Sequence, residues 1–105
     1  MTCGCSEAIN NVCQAVINKD DEVIIFTPAF VSYQNTVLLC QGIPVEIPLK
    51  LSLGFQIDIE EVKNKITKKT KMIILNNPNN PTGAVYQKET LEQLCKLARE
   101  NNILI

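Results

Sequence analysis

Met72-Ile73-Ile74-Leu75, a continuous apolar run bounded by Lys71 and Asn76, constrains the fold of this chain more than any other segment. Four apolar residues without polar alternation describe a strand covered on both faces, as in a parallel sheet held between layers of helices. The segment that follows, Asn76 to Gly83, is too rich in Asn, Pro and Gly for regular structure. A buried strand running into a polar loop is where α/β proteins place ligands, at the carboxyl ends of their strands.

The rest of the chain repeats this alternation. Ala8, Ile9, Val12, Ala15 and Val16 recur at helical spacing, with Ser6 placed to cap the start. Glu22 to Phe26 reads as a buried strand, ended by Thr27-Pro28 because proline cannot donate to a ladder. Phe30, Tyr33, Val37 and Cys40 share one face of a second helix, with Gly42 as its C-cap. Ile43 to Leu49 forms a strand that Pro44 and Pro48 confine to a sheet edge. Leu51 to Gln56 loops around Gly54, and Asp58 with Glu61 has the form of a capping box before Ile59, Val62 and Ile66. Leu91, Leu94, Cys95 and Ala98 mark a last helix, and Ile103-Leu104-Ile105 opens a further apolar run. Strands alternating with helices predict a three-layer α/β fold with a mostly parallel sheet and right-handed crossover helices. Repeats and linkers are absent. The interrupted final run is expected to mark residues 1–105 as part of a larger domain, truncated at both ends.

Composition removes several chemistries. Without histidine there is no Ser-His or Cys-His nucleophile pair and no imidazole zinc ligand. A net charge of -1 and a single arginine, Arg99, argue against a nucleic-acid partner. Lys63, Lys65, Lys68, Lys69 and Lys71 crowd one stretch, yet Glu60 and Glu61 beside them describe a solvated surface. No apolar run approaches the roughly 20 residues of a membrane span, and no leader pattern precedes residue 10. The five cysteines, Cys3, Cys5, Cys13, Cys40 and Cys95, are expected to be reduced, buried or loop thiols of a cytoplasmic protein. Cys3 and Cys5 lack the further ligands a metal would need.

Two segments can carry chemistry. In Thr2-Cys3-Gly4-Cys5-Ser6-Glu7-Ala8, a short glycine and serine loop opening a helix offers free N–H groups and a hydroxyl, which suit a phosphate or serve only as a cap. In Asn76-Asn77-Pro78-Asn79-Asn80-Pro81-Thr82-Gly83, the amides either build a turn or donate to a ligand oxygen on a backbone stiffened by proline.

NNPNNPTG after MIIL, with TCGCSEA, DEVIIFTPAFVSY and KETLEQLCKLARENNILI in the same order, resembles the class I/II aminotransferases, pyridoxal-phosphate enzymes similar to aspartate aminotransferase. The resemblance covers essentially the whole chain and the middle of that family's large domain. It implies that Gly4, Cys5 and Ser6 receive the phosphate of pyridoxal 5'-phosphate, Cys5 through its backbone. It implies that Phe30 stacks on the pyridine ring, where many relatives carry tryptophan or tyrosine, and that Asn80 donates to the 3-hydroxyl oxygen. Pro28 and Pro81 match positions often preceded by cis bonds. Tyr33 and Tyr86 are expected to be packing residues.

The parent reaction implied is amino transfer between an amino acid and a 2-oxo acid, in a homodimer. A carbon–sulfur lyase of the same fold, or a noncatalytic α/β binding or interaction module, is the alternative. A nucleotide-binding unit ranks lower, since no G-x-G-x-x-G follows a strand. In the family the lysine that bonds the cofactor, the aspartate facing its ring nitrogen and the substrate-binding arginine lie downstream of Ile105. None of the catalytic residues is therefore expected here, and residues 1–105 alone are expected to be inactive.

Overall fold

A computed structural model describes residues 1–105. The elements are α1 (Cys5–Val16), β1 (Glu22–Thr27), α2 (Ser32–Leu39), β2 (Ile43–Pro48), a 3-10 turn (Leu51–Leu53), α3 (Ile59–Lys65), β3 (Thr70–Ile74) and α4 (Lys88–Glu100). The three strands are all parallel, in the order β2-β1-β3. Ile24 of β1 lies opposite Val45 on one side and Ile73 on the other. Leu104 forms a parallel bridge to Met72 on the far flank of β3, so that strand too has neighbours on both sides. β2 takes the edge, as its two prolines require.

Alternation along β1 divides the interior into two layers. Val23 and Ile25 point toward α1 and α2, packing with Cys13, Ile17, Val37 and Met72. Ile24 and Phe26 point the other way, into a larger core with Ile47, Val62, Ile73, Leu94, Leu97 and Ala98. Each fully buried aliphatic side chain stabilises the fold by roughly 1.5–3 kcal/mol relative to exposure. The three-layer α/β expectation is met.

Several local expectations change. Ser6 is not the cap of α1: the helix begins at Cys5, two residues earlier than a Ser6 cap would start it, and Gly4 occupies the cap position with φ 90° and ψ 179° and no side-chain bond. Gly42 is not the left-handed residue closing α2. That conformation belongs to Gln41 (φ 60°), whose N–H donates to Leu38 at 2.9 Å while the Gly42 N–H donates to Val37 at 3.0 Å, a Schellman ending. Gly42 is required for space instead, because a Cβ there would sit 2.8 Å from Ile17 Cγ2 and 3.1 Å from Val37 Cγ1. On α4 the buried residues are Leu94, Leu97 and Ala98, and Cys95 is exposed. Buried thiols are likewise the exception: Cys13 alone is buried, Cys40 is half-buried, and Cys3 and Cys5 are exposed.

Asp58 caps α3 as expected, accepting from Glu60 N at 3.1 Å and Glu61 N at 3.4 Å. Glu61 does not return the bond; its carboxylate pairs with Lys50 at 3.2 Å. The crowded lysines are all exposed. No helix is long and apolar enough to cross a membrane.

Candidate functional site

Because the strands are parallel, their carboxyl ends and the helix starts that follow them gather at one end of the sheet. β1 ends at Thr27 and passes through Pro28, Ala29 and Phe30 into α2; β3 ends at Ile74 and passes into the Asn-Pro segment. The first turn of α1 stands beside both. Together they wall a cleft of about 240 Å³ lined by Cys5, Ser6, Ile9, Phe30, Ser32, Tyr33, Asn76, Pro78 and Asn80.

Four of the five expected cofactor residues, Cys5, Ser6, Phe30 and Asn80, therefore meet in one cleft, although they come from three separate segments. Gly4 is not on its wall. Its place is the turn before α1, where its positive φ aims the chain into the helix. The N–H groups of Cys5, Ser6 and Glu7 have no backbone acceptor, as the first turn of any helix leaves them. The Glu7 carboxylate is turned back onto the Cys3 N–H. No lysine or arginine lines the cleft, so an anion there meets helix N–H groups, hydroxyls and side-chain amides rather than a full positive charge.

The asparagines of the Asn-Pro segment divide their work. Asn76 Oδ1 accepts from the Asn80 N–H at 2.8 Å, and Asn77 Oδ1 accepts from the Tyr86 N–H at 3.1 Å. Asn79 is 5% exposed and donates through Nδ2 to the Pro28 carbonyl at 3.2 Å and to Thr82 Oγ1 at 2.9 Å. Those three amides build the loop. The Asn80 side chain alone makes no hydrogen bond within the chain and is exposed at the cleft. The peptide bonds before Pro28 and Pro81 are cis, as expected, and so is the one before Pro78.

Phe30 keeps 42% of its surface exposed and meets Tyr33 edge to face, with ring centroids 5.9 Å apart and planes at 70°. Tyr33 packs against the α1–α2 core, as expected, and also walls the cleft. Its phenol pKa is raised, first by burial and then by the nearby Cys5 thiol. Sequence reasoning did not place Ile9, Ser32 or Tyr33 at the site, and it named Asn76 and Pro78 only as members of the Asn-Pro segment. For Tyr33 and Ser32 the signal is their position within one helical turn of Phe30. An adjoining groove of about 330 Å³ is larger, but eleven of its twelve lining residues are apolar, and it offers an anion nothing.

Fold and cleft define an α/β protein with a cleft at the strand carboxyl ends, and comparison with known proteins narrows that class. The family model for aminotransferase class I and II matches residues 1–105, and the chain belongs to this family. The chain is 46% identical over 102 residues to the aspartate aminotransferase of Bacillus sp. (strain YM-2), covering 97% of this chain and 26% of that one. A solved aspartate aminotransferase double mutant of Thermus thermophilus superimposes with a TM-score of 0.93 at 45% identity, over 94% of this chain and 26% of that one. An alanine aminotransferase from Pyrococcus furiosus does so with a TM-score of 0.90 at 37% identity, over 94% and 25%. The chain thus spans about a quarter of the length of the relatives it matches.

Proposed function

We propose that residues 1–105 form the pyridoxal-phosphate-holding part of the large domain of an enzyme that moves an amino group between an amino acid and a 2-oxo acid. The observation that carries this reading is the convergence of Ser6, Phe30 and Asn80 on one cleft, with the Asn80 amide and the first-turn N–H groups of α1 left unpaired. These three kinds of group fit the three parts of the cofactor. Ser6 Oγ and the N–H groups after Gly4 donate to phosphate oxygens at the positive end of the helix. The exposed ring of Phe30 covers an aromatic face. Asn80 Nδ2 donates to the 3-hydroxyl oxygen, which holds negative charge on that oxygen.

When bound, pyridoxal phosphate supplies a carbonyl that condenses with amino groups and a ring that draws electron density from the substrate Cα. This chain's contribution is to hold and orient. Tyr33 and Ile9 wall the cleft and keep water from the ring, and Pro78 stiffens the backbone beside Asn80. No lysine lines the cleft, which supports assigning the bond to the cofactor and the movement of the Cα proton to residues outside this chain. Residues 1–105 alone are expected to bind the cofactor weakly and to transfer no amino group.

Pyridoxamine 5'-phosphate tests the reading, because it lacks the aldehyde that reacts with surface lysines. Saturable binding to the chain is expected, weakened roughly threefold to tenfold in Ser6→Ala and in Asn80→Ala, the worth of one hydrogen bond each. Equal binding of pyridoxamine without its phosphate, or no effect of either substitution, contradicts it.

A further inference from the structure

Cys3 and Cys5 flank Gly4 at the start of α1, and the holding of a cofactor makes no use of their sulfur atoms. Both thiols are free and exposed. The other three cysteines offer no comparable pair. Cys13 is buried and its thiol pKa is pushed up, chiefly by burial and then by Cys40; Cys40 is half-buried, and Cys95 stands apart on α4.

Covalent geometry keeps the Cα atoms of Cys3 and Cys5 within about 7 Å whatever Gly4 does, and disulfides span roughly 4.4–6.8 Å between Cα atoms. Rotation at Gly4 can therefore bring the pair into that range. Glycine is the residue that can make that rotation, and nothing lies within 4 Å of the position a Cβ would take there. The bond that closure disturbs is the exposed one from the Cys3 N–H to Glu7.

We propose that Cys3 and Cys5 form a dithiol that small-molecule disulfides oxidise to an intrachain disulfide across Gly4, a redox-sensitive modification site at the start of α1. One cysteine thiolate attacks the small disulfide, breaking its S–S bond, forming a mixed disulfide and releasing one small thiolate. The second cysteine thiolate then attacks the protein sulfur of that mixed disulfide, forms the Cys3–Cys5 bond and releases the second small thiolate. Two electrons pass from the chain to the reagent, and the two protons leave with the small thiols. Cys5 is both the first residue of α1 and part of the cleft wall, so the ring forms where the proposed phosphate contacts begin. The consequence for the cofactor rests on the reading in the preceding subsection: oxidation weakens binding.

Incubation of the folded chain with oxidised glutathione, an alkylating quench and fragment mass spectrometry test the pairing without reference to any cofactor. A species lighter by two hydrogens, with the bond confined to residues 3–5 and Cys13 alkylated only after unfolding, is expected. Cys3→Ser is expected to halt at a lasting glutathione adduct on Cys5. Separate, stable glutathione adducts on both residues of the unsubstituted chain, or pairing of either with Cys40 or Cys95, overturn the proposal. If the ring forms, pyridoxamine 5'-phosphate is expected to bind the oxidised chain severalfold more weakly than the reduced chain. Equal affinity overturns the coupling, whereas absence of binding to the reduced chain counts against the cofactor reading.

Discussion

The Asn79 side-chain amide donates to the carbonyl of Pro28 at 3.2 Å, tying the loop after β3 to the turn after β1 across 51 positions of sequence. The bond is part-buried, and its donor also reaches Thr82 Oγ1. Through it the two segments that carry Phe30 and Asn80 are held side by side. Asn79 shapes the cleft from behind, while its neighbour Asn80 faces it.

Asn79→Ala is therefore expected to destabilise the chain by about 1–3 kcal/mol, because the Pro28 carbonyl and Thr82 hydroxyl lose a buried partner. Asn80→Ala, which removes an amide with no partner in the chain, is expected to change stability by less than about 0.5 kcal/mol. Urea unfolding of the two variants compares them directly. Equal losses would mean that Asn79 does not hold the loop.

Gln41 and Gly42 supply a pair of opposite expectations. Gln41 holds a left-handed conformation that costs a side-chain-bearing residue about 1 kcal/mol, so Gln41→Gly should stabilise by about that much. Gly42→Ala should destabilise by about 1–3 kcal/mol, since its Cβ would press on Ile17, Val37 and the Asp21 carbonyl at 3.2 Å. Thermal unfolding of both variants checks the signs.

Tyr86 is 3% exposed, and its hydroxyl is buried without a partner. Tyr86→Phe removes that group at little change of shape, and a rise in stability of roughly 1 kcal/mol is expected. A fall would show that the hydroxyl has a partner.

The same burial raises the Tyr86 pKa above its usual 10.0. Burial likewise raises Tyr33 above 10.0, and it raises Cys13 above 9.0. In each case the unfolded chain gives up its proton first, so stability is fully present below the unfolded pKa and is lost as pH rises toward the folded value. Stability should therefore fall from about pH 9 upward, and the fall should be shallower in Tyr86→Phe. A profile that is flat from pH 9 to 11 contradicts this.

Much of the fold was legible in the sequence because strands buried on both faces leave long apolar runs. Val23 to Phe26 and Met72 to Ile74 could hardly be anything else, and Pro44 and Pro48 marked the edge strand. Helix ends were read less well. A glycine near a helix end signals a left-handed cap on average, but Gly42 is used for close packing and Gln41 bears the strain, which depends on where Ile17 and Val37 lie in space. Ser6 was expected to cap because its type favours it, yet a glycine at position 4 starts the helix earlier and frees the hydroxyl. At the cleft, family resemblance pointed to Phe30 and Asn80 individually, and both line it. The resemblance said nothing of which asparagines are spent on the loop, because that division is made by hydrogen bonds to Tyr86, beyond the loop's end, and to Pro28, 51 positions away.

The most direct test of the central claim is a residue-by-residue map of amide chemical shifts as pyridoxamine 5'-phosphate is titrated into the reduced chain. Saturable shifts concentrated at residues 4–8, at Phe30 and at residues 76–80 are the expected result. Shifts absent from the start of α1, or confined to the surface lysines between residues 63 and 71, would contradict it.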